Sequence, residues 1–342
     1  MAASRRTPFR FRKSFLEWLE DRRLLTINID LDLSTGPTIE QYGWDIKGGA
    51  NIRDQSRSDH YHSTGANILR VPFFPTAHNQ DGTINESDYS NQLRDISLAR
   101  NSNPDLKIFA SLKLRGADTF PAWMESGETC KIFGNSVFKP EVDLYTDALV
   151  DYVEYFHANG VKIDAFGINN EVENCLTPSR YSAAVESFRT KLSNTSLPAE
   201  YRSFDFVRPD AFRVSTAVNY VGGISNPSDV IDIAGIHFYA GSSDRDYDLR
   251  DLDNLVGGDM WFTEVHMNPS NASKGESPED NFGKMRHGMA TVLEANRQGA
   301  NTFIWWNPGA NPSNFDDEVK LEFMGSTLNY TPVSTQNSTG ID

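Results

Sequence analysis

The chain has 342 residues, 38% of them hydrophobic and 11% aromatic, enough for one large domain with a sizeable core or for two ordinary ones. A net charge of −15 repels phosphate backbones, which argues against nucleic acid as a general partner and leaves room for neutral ligands such as uncharged sugars. No run of residues approaches the apolar length that spans a bilayer, so no integral membrane association is expected.

Residues 1–27 are rich in arginine, whereas the rest of the chain is acidic. A secretory signal needs an unbroken apolar stretch, and the charges in SFLEWLED interrupt it. From about residue 42, short apolar runs alternate with stretches of helical period. The runs are QYGWDI, NILRVPFF, LKIFASLKL, IDAFGIN, FRVSTAVN, DIAGIHFY, MWFTEV and NTFIWW. Helical periodicity marks 88–100, 141–158, 179–193 and 281–299, while the connection before DIAGIHFY is only weakly helical. His60 and His62, in DHYHS, fall in a helix before the second run, which predicts a surface position rather than a metal site. Alternation of this kind implies parallel strands with crossover connections. Eight units over roughly 280 residues predict an α/β chain folded as a single (β/α)8 TIM barrel, a catalytic domain over 28–325. An open doubly wound sheet is the alternative; it is disfavoured because no Gly-rich nucleotide-binding turn follows any run. Residues 326–342, rich in Ser, Thr and Asn, read as a tail.

In a TIM barrel the chemistry gathers at the carboxyl ends of the strands. The fourth run ends in Asn169, Asn170, Glu171 and Glu173, residues costly to bury without partners. The second run supplies Arg70, the third Lys113, the sixth His237 and Tyr239, the seventh Glu264 and His266, and the eighth Trp306 and Asn307. Two carboxylates aimed at one point suit cleavage of a glycosidic bond. A retaining mechanism needs an ionised nucleophile and a protonated acid about 5 Å apart. Glu171 and Glu264 stand three barrel units apart and can face each other across a bound sugar. Like charge raises one pKa, while Arg70 and donors such as Tyr239 keep the other group ionised. Glu173 is the rival to Glu171, but without a preceding Asn it is expected to face loop solvent. Trp306 offers a flat platform for a sugar, and Trp305, alternating with it, is expected to pack outward. Trp44 and Trp123 are read equally well as packing or as sugar contacts, and His237 equally as a site residue or a core histidine. Cys130 and Cys175 follow neighbouring strands, so a disulfide across the rim is expected. No cofactor or metal motif is present, so none is expected.

Taken in order, YGWDIKGGA, ILRVPFF, SLKLRGADTFPAWM, GINNEVE, GIHFYA, WFTEVH and WWNPG resemble the strand motifs of clan A glycoside hydrolases, most closely glycoside hydrolase family 30. The resemblance covers about residues 40 to 310. It implies that Glu171 is the acid/base and Glu264 the nucleophile. Asn170 would bond the sugar 2-hydroxyl, Tyr239 or His237 would orient Glu264, and Trp306 would floor the cleavage subsite. It implies a monomeric retaining enzyme acting on a β-linked polysaccharide or oligosaccharide, xylanase- or glucanase-like, without a cofactor. A carbohydrate-binding pseudoenzyme and a metal-dependent barrel hydrolase are the alternatives. The chain departs from the family in three places: Lys113, Leu114 and Arg115 stand where the family has a Trp, Val172 stands where it has Pro, and the family's β-sandwich side domain is expected to be missing or truncated. Lys113 and Arg115 point to an acidic or sulfated sugar near the site, or to pairing with Asp118 or Glu125. LEWLEDRRLL resembles the LEPR-XLL sorting segment of exported bacterial proteins, which implies a secreted or cell-surface location.

Overall fold

The computed structural model describes residues 38–47, 52, 54–63, 65–114, 119–132, 134–239, 249–266 and 291–306. The segments 1–27 and 326–342, together with Arg115, Asp118 and Asn307, lie outside the described residues. In chain order the strands are β1 (Gln41–Asp45), β2 (Ile68–Phe73), β3 (Lys107–Leu112), β4 (Glu125–Ile132), β5 (Asn135–Pro140), β6 (Ala165–Gly167), β7 (Asp205–Ala211), β8 (Ile233–Tyr239), β9 (Asp259–His266) and β10 (Ala300–Trp306). Eight of them close a barrel in the order β1-β10-β9-β8-β7-β6-β3-β2, every pair parallel. The expected (β/α)8 barrel is the fold of the chain. β4 and β5 form a separate antiparallel hairpin between β3 and the next helix, an element the apolar runs do not announce.

Around the barrel run α1 (Gln55–Ser63), α2 (Ser90–Ser102), α3 (Val142–Ala158), α4 (Pro178–Ser193), α5 (Val214–Gly222) and α6 (Arg250–Val256). α3 shows why they pack where they do. Tyr145, Leu149, Tyr152, Val153 and Phe156 recur at three- and four-residue spacing and are all buried, at about 1.5 to 3 kcal/mol each for such side chains. His62 lies on α1 but is half-buried rather than on the open surface, with its Nδ1 2.9 Å from the Ala66 carbonyl oxygen and its Nε2 buried.

The fifth strand corrects the sequence reading. It is β7, DFVRPDA, and FRVSTAVN instead leads into α5. Val214, Ala217, Tyr220 and Val221 bury one helical face, so the β-branched run obeys the helical period. β7 looks unlike a strand because of its Arg and Pro. Arg208 turns outward and lies between the rings of Tyr181 and Tyr220. The pairing of β7 with β8 shifts register between Pro209 and Ala211, a bulge of the kind that accommodates proline.

The barrel interior is layered. Its floor is a cluster of Ile68, Phe109, Ala165, Val207, Ile233, Trp261 and Ile304, one residue from each of seven strands. β1 contributes Gly43, which stands level with Ile68 and Ile304. A side chain cannot fit there, because a Cβ would meet the Ile68 carbonyl oxygen at 1.7 Å. Above this apolar floor the inward positions turn polar.

Candidate active site

The polar layer starts with Arg70, two residues beyond Ile68 on β2 and therefore also inward-facing. Its side chain is completely buried. Nη1 donates to Asp45 Oδ2 at 2.9 Å, to the Thr263 carbonyl at 2.9 Å and to Glu264 Oε1 at 2.7 Å. Nη2 donates to Ser111 Oγ at 2.8 Å, Asn170 Oδ1 at 2.7 Å and Asp210 Oδ2 at 2.5 Å. One guanidinium thus ties together the ends of six strands, as its planar fork of donors allows.

Lys47, just past β1, adds a second cation. Its Nζ donates to Glu264 Oε1 at 2.7 Å and to Asn170 Oδ1 at 2.6 Å. A bulge in β9 turns both Thr263 and Glu264 into the barrel, where the register with β8 slips between Ile236 and His237. Thr263 Oγ1 donates to Asp210 Oδ1 at 2.5 Å. Burial alone would raise the Glu264 pKa; His237, Lys47 and Arg70 outweigh it and hold the carboxyl well below its ordinary value. Asp210 behaves alike: burial is overridden chiefly by Arg70 and His237, and its pKa is lowered. For Asp45 burial wins, and its pKa is pushed up to about 6 despite Arg70 and Lys47.

His237 links the remaining groups. Its Nδ1 lies 2.8 Å from Glu171 Oε1 and 3.5 Å from Glu264 Oε2, and its Nε2 lies 3.1 Å from Asp210 Oδ1. Burial disfavours the charged ring, but Glu264, Glu171 and Asp210 push its pKa up to about 10, so imidazolium is the form at neutral pH. Glu171 is the more open of the two glutamates, its side chain 16% exposed against 4% for Glu264. Glu171 and Asp210 both adopt left-handed backbone, at φ 55° and 56°, and the Glu171 N–H donates to the Asp210 carbonyl at 3.1 Å. Such backbone is uncommon outside glycine and asparagine and clusters at functional sites.

The sequence-derived candidates Arg70, Asn170, Glu171, His237 and Glu264 therefore meet in one network. Trp306 stands beside it: Lys113 Nζ lies 5.3 Å and Lys47 Nζ 5.7 Å from its ring centroid. Trp305 is buried against the outer core, as its alternation with Trp306 predicts. Trp44 is fully buried, and Trp123 donates its Nε1–H to the His78 carbonyl at 3.1 Å. The side chains of Tyr239 and His266 lie outside the described residues. Of the expected partners of Glu264, His237 pairs with its Oε2 at 3.5 Å, while Lys47 and Arg70 donate to its Oε1. Glu173 differs from expectation in part: it is half-buried, its Oε1 has no hydrogen-bond partner among the described residues, and burial raises its pKa. Cys130 on β4 and Cys175 beyond β6 form a disulfide that clamps the hairpin to the loop four residues after Glu171.

Sequence reasoning missed Lys47, Asp45, Asp210, Ser111 and Thr263. Lys47 lies inside YGWDIKGGA, and its spacing of two from Asp45 and four from Gly43, on one face of the strand direction, was the available signal. Asp210 had none while the fifth strand was sought in the following run.

Glu171, His237 and Glu264 also bring ligand-type atoms within 4.8 Å of one another. They fit a metal poorly. A histidine ligand must be neutral, whereas both nitrogens of His237 face carboxylates, and Lys47 and Arg70 already occupy Glu264.

No protein-family model matches the chain, and no curated protein matches it in sequence. Solved structures match in shape. The chain is similar to a family 30 endoxylanase from Clostridium papyrosolvens C71, with TM-score 0.63 and 18% identity over 87% of this chain and 74% of that one. The fold is that of the glycoside hydrolase barrels. An endo-β1,6-glucanase shares it at TM-score 0.59 and 16% identity, over 79% of this chain and 67% of the other. So does a family 5 glycoside hydrolase from Prevotella bryantii B14, at TM-score 0.55 and 13% identity, over 84% and 96%. The likeness to clan A barrels, family 30 included, agrees with the strand-end motifs.

Proposed function

We propose that the protein is a retaining glycoside hydrolase that cleaves a β-linked polysaccharide by double displacement. The observation that carries this reading is the approach of carboxylate oxygens of Glu171 and Glu264 to within 4.8 Å. Retaining enzymes hold the pair about 5 to 5.5 Å apart, whereas inverting enzymes need about 6.5 to 9.5 Å to admit a water.

Glu264, kept ionised by Lys47, Arg70 and His237, attacks the anomeric carbon while Glu171 protonates the departing oxygen. The bond between sugar and leaving group breaks as the glycosyl–Glu264 ester forms. Esterification removes the Glu264 charge. Glu171, left as a carboxylate beside His237, takes a proton from the incoming water, whose oxygen attacks the anomeric carbon as the glycosyl–Glu264 ester bond breaks and Glu264 is freed as carboxylate. Asn170 has its Oδ1 engaged by Arg70 and Lys47, which leaves its Nδ2 to donate to the sugar 2-hydroxyl. Trp306 floors the cleavage subsite. The Cys130–Cys175 bond supports a secreted or cell-surface location, since disulfides persist where thiols are oxidised.

The test compares wild type with Glu264→Gln on β-xylan, β-glucan, mannan and algal polysaccharides. Wild type is expected to release reducing ends with retained anomeric configuration by NMR, unaffected by chelator. The variant should lose about a thousandfold or more in rate. Equal product from both proteins, or inverted product, would overturn the assignment. Binding without turnover by wild type on every substrate would favour a pseudoenzyme.

A further inference from the structure

Every buried charge in the network has a partner. Glu264 faces Lys47 and Arg70, Asp45 and Asp210 face Arg70, and Glu171 and Asp210 face His237. Lys113, directly after β3, is the exception. Its side chain is half-buried at the mouth, and its ammonium makes no hydrogen bond or ion pair with any described residue. Burial and the nearby Lys47 lower its pKa and outweigh the opposing pull of Glu264, Asp45 and Glu171. The ammonium lies over the face of the Trp306 ring, 5.3 Å from the centroid.

Lys113 stands at the rim of this network, beside Trp306. A sugar lying on the Trp306 indole would bring its substituents to both ammonium groups, at 5.3 and 5.7 Å from the ring centroid. An ammonium has three N–H donors. Two of those on Lys47 are engaged by Asn170 and Glu264, and all three on Lys113 are open among the described residues. A hydroxyl would offer them a neutral acceptor. A carboxylate or sulfate would offer charge-assisted bonds about twice as strong.

We propose that the mouth of the barrel holds a subsite for an anionic sugar, one bearing a carboxylate or a sulfate ester, with Lys113 and Lys47 as its cations and Trp306 as its floor. The proposal rests on the glycosidase reading for its site and is tested through binding, so that the two can fail separately. The probes are a β-glucan, a β-xylan and a β-mannan, each in neutral, carboxymethylated and sulfated form. Full-length Glu171→Gln protein, which cannot turn over efficiently on that reading, is run through gels containing each polymer. It is expected to be retained about tenfold to a hundredfold more strongly by a charged form than by its neutral parent, the range for one charged hydrogen bond. Adding Lys113→Gln should erase that preference, and adding Lys113→Arg should restore most of it. The carboxymethylated and sulfated arms tell which anion is taken. A preference that survives Lys113→Gln, or no preference for any charged form, overturns the subsite. Failure of hydrolysis alongside intact, Lys113-dependent retention overturns the enzyme reading and leaves the subsite standing.

Discussion

Asp210 is the residue whose removal would show most directly how the site is held. Its two oxygens accept from Arg70, Ser111, Thr263 and His237, and its carbonyl accepts the Glu171 N–H. It thereby steadies the proposed nucleophile through Arg70 and the proposed acid through His237, without reaching either carboxylate itself. Asp210→Asn would leave Arg70 and His237 short of an anion in a dry interior. Breaking a buried pair in this way costs about 3 to 5 kcal/mol, so the urea midpoint should fall accordingly. The His237 pKa, raised in part by Asp210, should fall as well, which NMR titration of the ring would read. An unchanged midpoint together with an unchanged titration would show that Asp210 is not the hub.

At the scale of elements, the disulfide connects a hairpin outside the barrel to the loop that follows Glu171. It closes 45 residues, which in the chain-entropy account stabilises by about 4 kcal/mol. Reduction, or Cys130→Ser with Cys175→Ser, is expected to lower the melting temperature and to raise hydrogen exchange in 169–175 before it does so in β2 or β3. Uniform exchange along the chain would contradict that order. The same elements show what a reader of the sequence can and cannot see. Seven of eight barrel strands and the carboxylates on the fourth and seventh are legible, because inward and outward residues alternate and polar groups at strand ends stand out against apolar runs. β7 is illegible because Arg208 and Pro209 break its pattern. Their reasons for being there, two tyrosine rings and a bulge, come from other parts of the chain. The hairpin is illegible because only four of its fourteen strand residues are buried and its apolar alternation is short. Lys47 is visible as a letter, but its two acceptors lie 123 and 217 positions away.

For the molecule as a whole, the opposed titrations of the site set a window of stability. Glu264 and Asp210 have pKa values lowered by folding, so their contribution is complete above the ordinary carboxylate range near 4 and fades as pH falls below it. His237 is raised from 6.5 to about 10, so its contribution is complete below 6.5 and is lost as pH rises through about 10. Asp45 acts in the opposite sense to the other carboxylates: ionising it costs stability as pH rises from 3.8 to about 6. Urea midpoints should therefore decline on both sides of neutrality, and His237→Asn should remove the alkaline decline between 6.5 and about 10. An alkaline limb identical in wild type and variant would assign it to other groups.

Glu171 carries a further implication in its backbone. A glutamate at φ 55° is held in a conformation that glycine adopts at less cost, by roughly 1 kcal/mol. Glycine at this position would release that strain but take away the carboxylate beside the buried His237 ring, and the lost pair outweighs the backbone relief. The side chain that loads this peptide unit with strain is also the one that repays it.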